Sequence, residues 1–178
     1  MTKDQAEMIV EYYADIRRKM GLIRQQLIEL DDEISSLRGM NLDGMPRGSQ
    51  PGDSTADLAI KMEELGISEQ LRQLERQEAA LRSDLVLIRE EINGLRSVHS
   101  EILVKRYVFG YTWGQVRATV KAQKAGQQYS ISHLKRLRVV ALVMLAEKLD
   151  RLPERDALLE RAYNARKAAR ETGMHTSV

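Results

Sequence analysis

Nine apolar residues near the start of this chain recur at strictly alternating intervals of four and three: Ile9, Tyr13, Ile16, Met20, Ile23, Leu27, Leu30, Ile34 and Leu37. That alternation places all of them on one narrow stripe of an α-helix, and it is incompatible with the period of two that a strand requires. So narrow a seam packs along a partner helix, not into a broad core. Gly39 stops the pattern, and residues 39–53 contain Gly39, Gly44, Pro46, Gly48, Pro51 and Gly52, the composition of a flexible loop. A second seam follows with Ile60, Glu64, Ile67, Leu71, Leu74, Glu78, Leu81, Leu85, Ile88, Ile92 and Leu95. Its two Glu positions and the included Gly66 make the first third the weaker part. Two long helices joined by a loop predict an antiparallel helical hairpin, a coiled-coil-like arm over residues 1–97. Pairing of the same seams between chains is the rival arrangement. Seam residues are core and carry no chemistry.

Residues 98–150 have sharper punctuation. Ser97 or Ser100 starts a helix carrying Ile102, Leu103, Arg106 and Tyr107, with Gly110 as its C-terminal stop. Thr112 and Gln115 form a capping box for the next helix, with Tyr111 and Val116 in the staple positions. Ser130 caps a third helix over 131–149, again with a staple, Tyr129 and Leu134. Tyr107, Phe109, Trp113 and the apolar face of 131–149 make the expected core of this small head. Val139 to Ala146 is apolar around the whole helix and must be covered on all sides, by the arm or by a second copy. A homodimer or higher oligomer is therefore expected. Residues 151–178, opening near Pro153, read as a short C-terminal helix or a frayed tail. The fold class is all-α.

Charge is distributed unevenly. Residues 1–101 hold 13 basic and 20 acidic side chains, while residues 102–146 hold eight basic residues and no Asp or Glu. A surface without carboxylates suits a polyanion, because a carboxylate beside a phosphate cancels much of what a lysine contributes. Other classes lack their signatures. There is no Cys, and His99, His133 and His175 show no ligand spacing, so neither a disulfide framework nor a metal site is expected. No Gly-rich phosphate loop or nucleophile elbow occurs, and the basic stretch lacks the acids a nuclease uses to hold Mg²⁺. No catalytic residue, cofactor or membrane contact is expected, and the polar N-terminal residues and short apolar runs read as a cytoplasmic protein.

A capped helix followed by a capped basic helix is the plan of a helix-turn-helix, whose second helix lies in the DNA major groove. Ser132, His133, Lys135 and Arg136 lie off the apolar face near the start of helix 131–149 and are the candidates for base readout. Arg and Lys donate to guanine, while Ser and His contact bases or phosphates. Thr112, Arg117, Lys121, Lys124, Tyr129, Ser130 and Arg138 are the candidates for phosphate contact.

The run Arg106-Tyr107-Val108-Phe109-Gly110-Tyr111-Thr112-Trp113, then Val116, Tyr129-Ser130 and Ala141-Leu142, resembles phage and prophage regulators related to sigma factor region 4, of the RinA and ArpU type. The loop Gly44-Met45-Pro46-Arg47-Gly48 after a long first helix is similar to the same proteins. The resemblance implies a sigma region 4-like helix-turn-helix at 98–150, sequence-specific binding to double-stranded DNA, activation of late or packaging genes, and host RNA polymerase as a partner. Two departures stand out. The segment between Trp113 and Tyr129 is longer than in the family, with the extra residues at 121–128 as either helix or loop, and Arg138 stands where the family carries His. Two other readings share the helical plan. One is a small terminase subunit recognising packaging-site DNA, whose DNA-binding module comes first in the chain. The other is a structural or adaptor coiled-coil protein whose basic head binds an acidic protein.

Overall fold

The computed structural model describes residues 1–39, 59–60, 62–63, 65–120 and 128–171. All regular structure among them is helical. In chain order the helices are α1 (Lys3–Gly39), α2 (Ile67–Asn93), α3 (Ser97–Leu103) with its continuation Val104–Val108, α4 (Trp113–Thr119), α5 (Ile131–Leu149) and α6 (Arg155–Glu171). The loop expected after Gly39 lies outside the described residues. None of the described helices is long and apolar enough to cross a membrane.

The chain divides into two compact units, one of residues 18–82 and one of residues 1–17 with 83–178. The expected boundary near residue 97 thus falls inside the second unit, which takes in the first turns of α1 and the last of α2.

In the smaller unit the two seams meet within one chain. Leu30 and Ile34 of α1 pack with Ile67 and Leu74 of α2, and Met62 joins them. Arg24 reaches Glu78 at 3.6 Å, which gives one of the two acidic seam positions a partner. The order of these contacts, with early residues of α1 against late residues of α2, is antiparallel. The second seam does not begin at Ile60, which is exposed; α2 starts at Ile67, directly after Gly66. Gly66 adopts φ +68°, a left-handed conformation that a Cβ would strain, and this breaks the periodic run at that point.

In the larger unit α1 begins with reciprocal bonds between Thr2 and Gln5: the Thr2 amide donates to the Gln5 side-chain oxygen at 2.9 Å, and the Gln5 amide to the Thr2 hydroxyl at 3.2 Å. Ile9, Tyr13 and Ile16 of α1 are buried, as are Ile88 and Ile92 of α2, Leu142, Leu145 and Leu149 of α5, and Leu158 and Ala162 of α6. Residues 155–171 therefore form a helix with a buried face, not a frayed tail. One acid lies inside this packing. Asp84 of α2 is only 6% exposed. It accepts two bonds from the Arg161 guanidinium of α6, both at 2.7 Å, and one from the Tyr12 hydroxyl of α1 at 2.9 Å. A planar guanidinium satisfies both carboxylate oxygens at once, which is the arrangement that lets a carboxylate stay charged away from water.

Asp84→Ala leaves the Tyr12 hydroxyl without its acceptor and frees Arg161. A loss of about 1–3 kcal/mol is expected in equilibrium denaturation, and a loss below 0.5 kcal/mol would show that the cluster contributes nothing. Burial, then the bond to Asp84, pushes Tyr12 up to about 12 from its ordinary value. A raised value means that the neutral form is favoured in the folded chain. Its contribution is intact below about pH 10 and is lost as pH rises toward about 12. The denaturation midpoint should fall over that window more steeply in the wild type than in Tyr12→Phe.

Candidate nucleic-acid interface

Three short segments converge on a small core of Ile102, Val116, Val120 and Leu134, with Val98, Tyr111, Trp113, Tyr129 and Leu137 packed around it. Both staple pairs, Tyr111 with Val116 and Tyr129 with Leu134, contribute to this one cluster, so the residues that set the entry angles of α4 and α5 also bind the two helices together. The Thr112 hydroxyl accepts from the Gln115 amide at 3.4 Å, and the Gln115 side chain accepts from the Thr112 amide at 2.8 Å. The Ser130 hydroxyl accepts from the His133 amide at 3.2 Å, and the Tyr129 ring stacks on His133 at 5.3 Å between centroids. The α3 start is different: Arg96 occupies its cap position and makes no side-chain cap bond, so neither Ser97 nor Ser100 serves there.

The turn into α4 is built by a widened helical turn. Phe109 donates to the Val104 carbonyl five residues back, and Tyr111 donates to the Lys105 carbonyl six back, with Gly110 at φ +65° between them. The extra residue in the turn marks an insertion of the π type. Arg106 secures it, donating to the Tyr111 carbonyl at 2.8 Å while its guanidinium lies 5.4 Å from the Trp113 ring centroid. Trp113 packs against the small core as expected. Phe109 does not; it is 55% exposed and tilts against Tyr111. Residues two apart in a helical turn point to opposite sides, so burying Tyr107 turns Phe109 out.

The cations of the acid-free stretch separate into classes. Lys105 pairs with Glu101 and donates to the Thr119 carbonyl at 2.7 Å. Arg138, expected on a phosphate, is instead drawn inward. It lies 3.3 Å from Glu7 of α1 and donates to the Tyr107 hydroxyl at 3.2 Å, and that hydroxyl in turn donates to Glu7. Burial and the neighbouring Glu7 raise the Tyr107 pKa, keeping the phenol protonated as a donor. The stretch has no acid of its own, so the carboxylate that Arg138 meets comes from another helix, α1.

Arg117 of α4 and Ser132, His133, Lys135 and Arg136 of α5 are exposed, as are the capping residues Thr112 and Ser130, while Tyr129 is half-buried. Arg117, Lys135 and Arg136 have no ion pair among the described residues. Lys121 and Lys124 lie outside the described residues, as does most of the lengthened segment 121–128.

Helix α5 is covered on one side only. Leu134, Ala141, Leu142, Leu145, Ala146 and Leu149 are buried, whereas Val139, Val140 and Val143 are 40%, 45% and 43% exposed. The complete cover expected for the apolar run is therefore not supplied among the described residues. Among the described residues no group of three or more His, Cys, Asp or Glu gathers where it could hold a metal ion.

No protein-family model, curated protein or solved structure matches this chain.

The division of cations yields a paired prediction. Arg138→Ala strips Glu7 and Tyr107 of their partner and should lower stability by about 1–3 kcal/mol, while Arg136→Ala should change it by less than about 0.5 kcal/mol. Equal losses in denaturation would return Arg138 to the surface set.

Proposed function

We propose that this chain is a sequence-specific regulator that binds double-stranded DNA, with α5 lying in the major groove and α4 bracing it from the backbone. The observation that carries this is the exposed first part of α5. Ser132, His133, Lys135 and Arg136 project from a helix anchored on its opposite face, within a stretch of sequence that contains no carboxylate. A rigid helix presenting donors without competing acids is what base-edge recognition needs. Arg117, and Lys121 and Lys124 by their sequence position, would contact phosphates, with the capping hydroxyls Thr112 and Ser130 beside them. The resemblance to RinA- and ArpU-type proteins supports a role in phage or prophage late and packaging genes, with host RNA polymerase as a protein partner. No step of this function requires catalysis or a cofactor.

Footprinting on the surrounding genome segment at two salt concentrations tests the reading. One protected site is expected, with affinity falling steeply as salt rises, because each neutralised phosphate releases a counterion; uniform weak coverage would overturn it. Arg136→Ala should relax preference at one base position by about 1–3 kcal/mol. Arg117→Ala should weaken all duplexes alike and reduce the log–log salt slope by about one. Sequence-independent losses in both would place the reading edge elsewhere.

A further inference from the structure

The exposed face of α5 does not end where its polar residues end. Arg136 is followed on the same side by Val139, Val140 and Val143, and no carboxylate occurs until Glu147. At about 100° per residue, Ser132, Arg136, Val139 and Val143 fall on one line, with Val140 beside it on the flank shared by His133. The side opposite is the buried one, carrying Leu134, Ala141 and Leu145. The edge that presents donor groups thus continues without a break into an apolar one. Val139 and Val140 stand about 4.5–6 Å along the axis from Arg136, a distance of one or two base-pair steps at about 3.4 Å each.

What could meet these valines is constrained by size. Three side chains each less than half exposed offer far less than the roughly 800 Å² per partner of a stable protein interface, so a second copy would need a larger surface than this one. The major groove presents one apolar group of matching scale, the C5-methyl of thymine.

Resting on the DNA-binding reading above, we infer that Val139 and Val140 are specificity-determining residues that pack against thymine methyls, so that the recognised site carries thymines within one to three base pairs of the guanine met by Arg136. Val143, a further turn along, is at the margin of this contact.

Selection of bound duplexes from a random pool by the full-length protein identifies the site. Each thymine in it is then replaced singly by deoxyuridine, which removes the methyl and nothing else. One buried methyl corresponds to about a fourfold change in affinity. The wild type should lose about that factor at one or two thymines close to the guanine. A Val139→Ala, Val140→Ala double variant should bind the thymine and deoxyuridine duplexes alike. Both positions are exposed in a helix and alanine favours helix, so the variant keeps the fold. Specific binding that tolerates deoxyuridine at every position overturns the valine contact while leaving the DNA-binding reading intact, and so does a valine double variant that keeps the wild-type methyl preference. Failure of the pool to yield any sequence overturns the DNA-binding reading and this inference with it.

Discussion

The larger unit depends on how a guanidinium is kept inside a stretch that has no acid of its own. Arg138 lies on the side of α5 that faces the protein, and its Nε is buried without an acceptor among the described residues. What holds it is Glu7, 131 positions earlier, with the Tyr107 hydroxyl completing the triangle. Three segments are fixed by that one cluster: the opening of α1, the widened turn after α3, and α5. Removing the cation would leave a carboxylate with only a phenol beside it, and removing the carboxylate would leave an inward cation with none. With the buried Ile9, Tyr13 and Ile16, this cluster ties the first turns of α1 to the larger unit, although their heptad pattern continues without change beyond residue 17.

The same constraint turns a net charge into an arrangement. Eight cations and no acid describe a composition, but Lys105 and Arg106 are consumed in holding the turn between α3 and α4, and Arg138 in holding α5. The groups that remain for a polyanion are Arg117, Lys135 and Arg136, with Lys121 and Lys124 adding to them by sequence. Among the described residues the exposed positive surface is smaller than the sequence suggests, and it is concentrated on the last turn of α4 and the first part of α5.

Local signals were legible before any coordinates. The first seam, the Thr112–Gln115 box, the Ser130 cap, both staples and the Gly110 stop all involve residues within a few positions of each other, where spacing alone determines who meets whom. The buried clusters were not legible because their partners lie far apart: Tyr12 and Asp84 are separated by 72 residues, and Arg161 and Asp84 by 77. One hint was present. Asp84 lies three residues after Leu81 and four before Ile88, on the apolar side of its own helix, where a lone acid asks for a buried partner. The exposure of Phe109 is not legible from hydropathy, because two aromatic residues in one turn look alike in sequence and only Tyr107 faces inward. The open valines are not legible either, because hydropathy counts apolar residues and does not report which side of a helix is covered.

The end of α4 and the start of α5 have their backbone groups satisfied by different means. A helix ends in carbonyls that carry partial negative charge and begins with amides that carry partial positive charge. Where two helices follow one another, the end of the first and the start of the second ordinarily offset each other. Here the ammonium of Lys105, itself paired with Glu101, is seated on the Thr119 carbonyl in the last turn of α4, so that carbonyl is satisfied from within the fold. Among the described residues, the amide end of α5 is met by the neutral hydroxyl of Ser130. The amides of that first turn therefore add fixed partial positive charge at the start of α5, the end of the helix that carries Ser132, His133 and Arg136.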